Sequence, residues 1–448
     1  MRSFSGNSLS HYHSWGRQTK AGPVRVLRLD WLTQTPELAS VPEPMLAFGR
    51  GRSYGDACLN DGGVLLDASA LDRFIAFDEQ AGLIRCEAGA TLAEILKIIV
   101  PRGWFVPVTP GTKHVSVGGA IANDVHGKNH HRMGTFGCHV TQLELLRSDG
   151  HRVVCSSEQN RELFQATIGG LGLTGLILWA EFRLKRIRSP WIRMDRIPFR
   201  TLEEFSQLTD ESDGRFEYTV AWIDALAPRG QMGRGVFYRG NHDDTVDSRM
   251  PRDPRGIRMR MDAPGGVINR FTMRLFNGLY FRAPARNQQL VSHDEFFYPL
   301  DAVAEWNRIY GAAGFFQYQC VLPPQAGPAG GREMLERIHA SGQTCALAVL
   351  KVFGSLASPG MLSFPRPGLT LALDFPNRGE RTEKLFRELD AVVARCGGAI
   401  YPAKDARMPP ELFQAAFPRW KEFARYKDPH FSSNFWRRVT RNSNGATR

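Results

Sequence analysis

VPVTPGTKHVSVGGAIANDVHGKNHH, residues 106–131, is the stretch on which the fold turns. Proline, glycine and small polar residues lead into an almost side-chain-free run, SVGGAIA. Three of the chain's 12 histidines, a lysine and an aspartate then fall within residues 124–131. A metal site is the first chemistry to test. His126, His130 and His131 offer imidazoles, but no HExxH is present, and zinc sites supply three or four well-spaced N, S or O ligands. No metal is therefore expected. The side chains are expected to line a pocket, with one facing a substrate and the others satisfied structurally.

Working outward, GRGRSYGD (49–56), GTFG (134–137) and GGLGLTG (169–175) share the same character. Glycines so widely spread suggest backbone wrapping closely around an extended ligand, since such an approach leaves no room for a Cβ. No GxxxxGK[ST] phosphate loop occurs. Gly170-x-Gly172-x-x-Gly175 matches a dinucleotide fingerprint in letters only. That motif follows a strand and opens a helix. Here a predicted helix, NRELFQATI, precedes it and a predicted strand, LILWAEF, follows, so a Rossmann unit is rejected.

The 448 residues, 42% of them apolar, suffice for about two domains. The N-terminus has no apolar signal-peptide core, and no run reaches the roughly 18 apolar residues of a spanning helix. Seven scattered cysteines, with no CxxC pair, fit a reducing compartment, so a cytoplasmic location is expected. The formal charge of +12 gathers partly in RMPRDPRGIRMRMDAPGGVINR (249–270) and in FWRRVTR near the end. Nucleic acid, an anionic membrane or a phosphorylated substrate would all exploit that field. An interleaved aromatic and basic platform for nucleic acid is not evident.

Periodicity predicts strands at GGVLLDAS and LIRCEAGA, a helix at TLAEILKIIV, and a hairpin at VTQLELLRSDGHRVVCSS. The basic, proline-containing RSPWIRMDRIPFR after LILWAEFRLKRI is taken as a domain boundary. Residues 225–290, dense in glycine, proline and arginine, read as a long mobile loop. From residue 314 the order is β-α-β-β-α-β, a ferredoxin-like α+β layer with helices on one face of an antiparallel sheet. Gln317 and Gln319, two apart, share one strand face. Their amides suit a polyol, or else a solvated surface. Lys351 sits in an apolar strand, where an unpaired charge is costly. Lys404, beside Asp405 and Arg407, reads equally as a surface ion-pair lysine.

GRGRSYGD, VPVTPGTKHVSVGGAIANDVHGKNHH, GTFG and ATIGGLGLTG together resemble the FAD-binding domain of the vanillyl-alcohol-oxidase-type flavoproteins. FYPLD, WNRIYGAAGFFQYQCVLP, KVFG, LSFPRPG, LDFP and YPAKDAR extend the likeness, toward the decaprenylphosphoryl-ribose 2′-oxidase family within that group. The resemblance implies an α+β chain with a two-part FAD-binding domain, residues 1–190 and 399–448, around an antiparallel-sheet substrate domain, residues 191–398. It implies FAD held noncovalently, because Arg52 stands where many relatives carry a flavin-linking histidine.

The implied cofactor contacts are Gly49, Arg50, Gly51, Arg52, Ser53, Tyr54 and Gly55, then Pro110, Gly111, Thr112, Val115, Gly118, Gly119 and Ala120. They continue with Asn123, His126, Gly127, Asn129, Gly134 and Gly137, and with Gly170, Gly172, Gly175 and Ile177. The pyrophosphate is expected near 49–56 and 111–119, where turn N–H groups act as anion nests. His126, Lys128, Gln317, Gln319, Lys351, Tyr401 and Lys404 are implied to line the flavin and substrate pocket. Tyr54, His126, Gln317 and Gln319 would orient a sugar, Lys351 would meet its phosphate, and Lys404 would stabilise reduced flavin.

The implied reaction oxidises the 2-hydroxyl of a polyprenylphosphoryl-β-D-ribose to the ketone. An NAD(P)H-dependent short-chain reductase would complete the epimerisation to arabinose used for cell-wall arabinan. Oxygen or a quinone would take the electrons, and the basic segment would meet an anionic membrane face. The alternatives are an FAD oxidase of another sugar, alditol or aldonolactone, and, remotely, a basic nucleic-acid-binding protein. Ala372 and Thr370 stand where the actinobacterial enzyme carries cysteine and asparagine, and both are expected at or beside the substrate site.

Overall fold

The computed structural model describes residues 3–4, 11–18, 22–245, 251 and 256–441. Strands β1 (Arg25–Arg28), β2 (Met45–Phe48) and β3 (Val64–Asp67), with Ser3–Phe4 at the edge, form a four-stranded sheet. β3 runs parallel to β1 and β2 between them, and all four of its residues, VLLD, are buried. A continuous apolar run is what a strand covered on both faces requires.

Five antiparallel strands follow: β4 (Phe74–Asp78), β5 (Leu83–Glu87), β6 (Val140–Leu146), β7 (Arg152–Ser156) and β8 (Leu176–Arg183), in the order β4-β5-β8-β6-β7. Helix α1 (Leu92–Ile99) buries Leu92, Ile95, Leu96 and Ile99, one helical face. Thr91 and Glu94 close a reciprocal capping box at its start. The short α2 (Val117–Ala122) follows, and α3 (Arg161–Thr167) precedes GGLGLTG, which then leads into β8. The helix–glycine–strand order expected there is observed.

The third sheet has eight strands: β9 (Trp191–Phe199), β10 (Tyr218–Ile223), β11 (Gly235–His242), β12 (Arg286–Ser292), β13 (Phe315–Leu322), β14 (Leu347–Phe353), β15 (Gly368–Pro376) and β16 (Ala399–Ile400). Their order is β12-β9-β11-β10-β14-β15-β13-β16. The last four strands in that order, all antiparallel, form the ferredoxin-like layer. Helices α4 (Arg270–Arg282), α5 (Gly327–Ser341) and α6 (Glu380–Arg395) accompany the sheet, and α5 packs against α6.

Two expectations are corrected here. RSPWIRMDRIPFR is not merely a basic connector, because β9 is hydrogen-bonded on both sides, to β11 and β12. Pro198 lies beyond the last pairing with β12, where only β11 remains as a neighbour. Nor are residues 225–290 one long loop, since they contain β11, α4 and the start of β12. Arg249, Met250 and residues 252–255 of the basic segment lie outside the described residues.

Near the end, the chain packs back on the first sheets. Met45 donates its N–H to His430 O at 2.7 Å, and Asn434 donates to Leu59 O at 2.8 Å. Arg438 bridges Asp56 and Asp405 at 2.7 and 2.9 Å. Arg147 and Ser148, after β6, both bond Asp428.

Candidate flavin and substrate site

One cleft runs from the glycine turns of the N-terminal sheets to the open face of the eight-stranded sheet. Gly49 through Tyr54, Pro110 through Thr112, Val115, Gly118, Gly119, Asn123, Gly172, Gly175 and Ile177 line its upper part. Its floor is His126, Gln317, Gln319, Lys351, Ala372, Tyr401 and Lys404. Pairing of β13 with β15 and of β15 with β14 sets Gln319, Ala372 and Val349 in one row across the floor. Strand alternation therefore presents the two glutamines together, as their spacing predicts.

Several expected cofactor contacts fall outside this lining. A Cβ on Gly55 would overlap Asp405 O, and one on Gly170 would overlap Ala166 O, so both glycines serve chain packing. Gly137 donates its N–H to Asp124 Oδ1 at 2.9 Å, and Asn129 donates to Pro107 O at 2.9 Å. Gly127 packs on the Thr109 backbone, and Gly134 lies against Cys138 and Leu356. Ala120 is buried in the core around α1 and α2. Lys128 is turned from the cleft, its Nζ donating to the carbonyls of Phe296 and Phe297. His130 and His131 are structural here. His130 packs on Phe353 with a centroid distance of 4.5 Å, and His131 Nε2 lies 3.2 Å from Phe216 O.

At the floor, Gln319 Nε2 lies 2.9 Å from His126 Nε2, and Lys351 Nζ lies 3.2 Å from His126 Nδ1. Burial, then the charge of Lys351, holds His126 well below the usual imidazole range. Burial also brings Lys351 down to about 8. Tyr401 stacks on Phe364 at 4.6 Å and donates its hydroxyl to Asn123 O at 2.8 Å. Lys404 Nζ sits 3.5 Å above the Tyr54 ring centroid. Burial lowers the Lys404 amine to about 7, with Asp374 opposing the shift.

Asp374 was not singled out from the sequence. It is fully buried, lies opposite Gln317 in the strand pair, and accepts from Gln317 Nε2 at 2.6 Å. Burial raises its carboxyl to about 7. The only signal in the sequence was an acid in an otherwise apolar strand, LTLALDFP. Thr370, on the same face, lies buried beneath Gln319 and donates to Cys320 O at 2.8 Å. It neighbours the floor, whereas Ala372 reaches it.

The residues fit FAD on two counts. The Nε atoms of Arg50 and Arg52, both lining the cleft, are buried without a hydrogen-bond partner among the described residues. That is a cost an anionic ligand would relieve. A Cβ on Gly111 would meet nothing within 4 Å, and Gly172, at φ +74°, has only ordinary contacts near its own. Glycine there leaves the width of the trough to a ligand. Arg52 is braced by Trp15, its guanidinium 4.0 Å from the ring centroid.

Comparison with known proteins agrees. The FAD binding domain family model matches residues 38–156. This is the cofactor-binding part of an FAD-dependent oxidoreductase. The chain is 37% identical over 415 residues to the decaprenylphosphoryl-β-D-ribose oxidase of Mycolicibacterium smegmatis, covering 88% of this chain and 89% of that protein. It belongs to that oxidase family. An uncharacterized protein in the mprA 5′ region of Streptomyces coelicolor is 32% identical over 369 residues, 78% of this chain and 99% of its own length. Cytokinin dehydrogenase 7 of Oryza sativa is 28% identical over 232 residues, 47% of this chain and 43% of that one.

Proposed function

We propose that the chain oxidises the 2-hydroxyl of a polyprenylphosphoryl-β-D-ribose to the 2-keto sugar, the first half of an epimerisation to the arabinose form. The observation that carries this is the continuity of the arginine- and glycine-lined trough with a floor of two amides, two amines and a neutral imidazole. Such a floor matches a phosphorylated polyol. Amides give and accept hydrogen bonds with hydroxyls, and amines meet phosphate.

Oxidising a secondary alcohol removes a hydride from carbon and a proton from oxygen. Bound FAD supplies the two-electron acceptor, held noncovalently. Gln317 and Gln319 hold the sugar hydroxyls, Gln317 fixed from behind by Asp374 and Gln319 by His126. Tyr54 and Tyr401 wall the floor, and Lys351 meets the phosphate. Lys404, poised at about 7, takes up a proton when negative charge gathers beside it and so balances that charge.

An NAD(P)H-dependent short-chain reductase would consume the ketone, and oxygen or a quinone would reoxidise the enzyme. Among the described residues no helix is long and apolar enough to cross a membrane. We place access to a lipid-borne substrate at the cytoplasmic membrane face, where the basic 249–270 region would be drawn to anionic headgroups.

Anaerobic addition of a prenylphosphoryl-ribose analogue to the purified protein tests the reading. Bleaching of the flavin band, with FAD released on acid denaturation, is the expected result. A yellow protein that bleaches only with free alditols or aldonolactones would move the substrate elsewhere.

A further inference from the structure

Helix α4, RFTMRLFNGLYFR, has two apolar faces, and the protein covers only one of them. Met273 and Asn277 are buried, Asn277 donating to Asp224 Oδ1 at 2.7 Å. Tyr280 meets Trp222 edge-on at 4.8 Å. The other face carries Phe271, Leu275, Phe276 and Leu279, which are 77%, 57%, 53% and 63% exposed. Residues 271, 275 and 279 recur every fourth position, so they form one stripe. Four large apolar side chains left in water on one short helix call for a partner.

The charge around the stripe points to what that partner is. Arg274, Arg282 and Arg286 are exposed around it, and no acidic residue occurs between Asp262 and Asp294. Exposed Arg258 and Arg260 precede the helix, together with Ile257 and Met261, which are 70% and 79% exposed. A second copy packed stripe to stripe would set the arginines of the two helices against each other, since neither helix carries an acid of its own. An anionic lipid surface satisfies both the stripe and its rim. Thirteen residues span about 20 Å, short of a bilayer's roughly 30 Å hydrocarbon core, so the helix lies in the interface and does not cross it.

The position of the helix ties it to the cleft. Gln319, Ala372, Val349 and Trp222 follow one another across neighbouring strands, so Trp222 lies on the same sheet face as the floor. Tyr280 of α4 rests on that tryptophan. The exposed stripe thus rides on the sheet face that carries the reactive end of the cleft.

We propose that α4 is a membrane-docking element: its Phe271–Leu275–Phe276–Leu279 stripe inserts into the interface of an anionic phospholipid bilayer and holds the cleft at the lipid surface. This deepens the lipid-linked reading above and rests on it for its use, but the docking can be tested without any sugar.

Flavin-loaded, full-length protein is floated with vesicles of phosphatidylcholine containing phosphatidylglycerol, and with phosphatidylcholine alone. Binding to the anionic vesicles is expected, weakened by salt. The L275S/L279S pair should lower the partition coefficient about tenfold or more while flavin content and melting temperature stay unchanged. Should that pair not fold, F271S and L279S singly carry the same readout. Three results would overturn the proposal: no binding of the wild type to anionic vesicles, undiminished binding by folded serine variants, or a wild-type dimer that those variants convert to monomer. Failure of the sugar oxidation with vesicle binding intact would sink the substrate reading alone.

Discussion

Lys351 Nζ stands 3.2 Å from Nδ1 of His126, while Gln319 Nε2 lies 2.9 Å from the same ring's Nε2. A neutral imidazole has one N–H and one lone pair. One neighbour must therefore accept: Lys351 as a free amine, or Gln319 with its amide oxygen turned inward.

His126 is expected to stay neutral through the pH range in which an ordinary imidazole takes up its proton, since burial and the charge of Lys351 both lower it. Nitrogen NMR of histidine-labelled protein, with the His126 signals assigned by their loss in H126N, should show that ring without titration across that range. Removing the charge with K351M should raise its midpoint toward the usual value. A normally titrating His126 in the wild type would contradict the geometry.

Gly111 lines the trough, and its Cβ position meets no protein atom within 4 Å. G111E should therefore spare the fold but obstruct the cofactor and repel its phosphates. We expect flavin retained after gel filtration to fall at least about tenfold, with the flavin-free melting temperature unchanged. Full flavin content in the variant would place the cofactor elsewhere.

Asp374 sets a pH dependence of stability in the flavin-free protein. Its folded carboxyl is raised from 3.8 to about 7, so between those values the folded chain keeps a proton that the unfolded chain has released. Its contribution is fully present below about 4 and is lost as pH rises to 7, by at most about 1.4 kcal/mol per pH unit. Lys404 acts oppositely above 7, where the unfolded chain binds the extra proton. Urea midpoints from pH 4 to pH 7 should fall less steeply in D374N than in wild type. Parallel slopes would remove Asp374 from the balance.

Arg438 ties the last helical turn to Asp56 and Asp405, two carboxylates from distant parts of the chain. Its removal leaves both buried carboxylates without their arginine counter-charge. R438A should cost about 3 kcal/mol in denaturant unfolding. A loss below about 0.5 kcal/mol would show the pair to be solvent-screened.

The ferredoxin-like layer was legible because its strands and helices are each internally consistent. GFFQYQCVLP and LTLALDFP are strand-forming runs, rich in apolar residues and broken by few polar ones, and RTEKLFRELDAVVAR repeats with helical period. The glycine turns were legible as a ligand-wrapping backbone, and rejecting the Rossmann reading of GGLGLTG needed only the order of its neighbours. Helix α4 escaped detection because its apolar residues lie on both its buried and its exposed faces, so no single stripe separates them. β9 was obscured by its arginines and Pro198, which a strand tolerates where the pairing ends.

What the sequence by itself determined is which backbone each stretch takes and which chemical groups the chain can offer: glycine turns, paired amides, and lysines in apolar strands. It did not determine which of those groups meet. Gly55, Gly170 and Lys128 carry the same signals as Gly51, Gly172 and Lys351, yet they face packed protein. Only tertiary structure seated Asp374 behind Gln317 and His126 between Gln319 and Lys351. Those contacts join residues 57 to 225 positions apart, and their shifted ionisation comes from burial, which exists only once the sheets have closed over them.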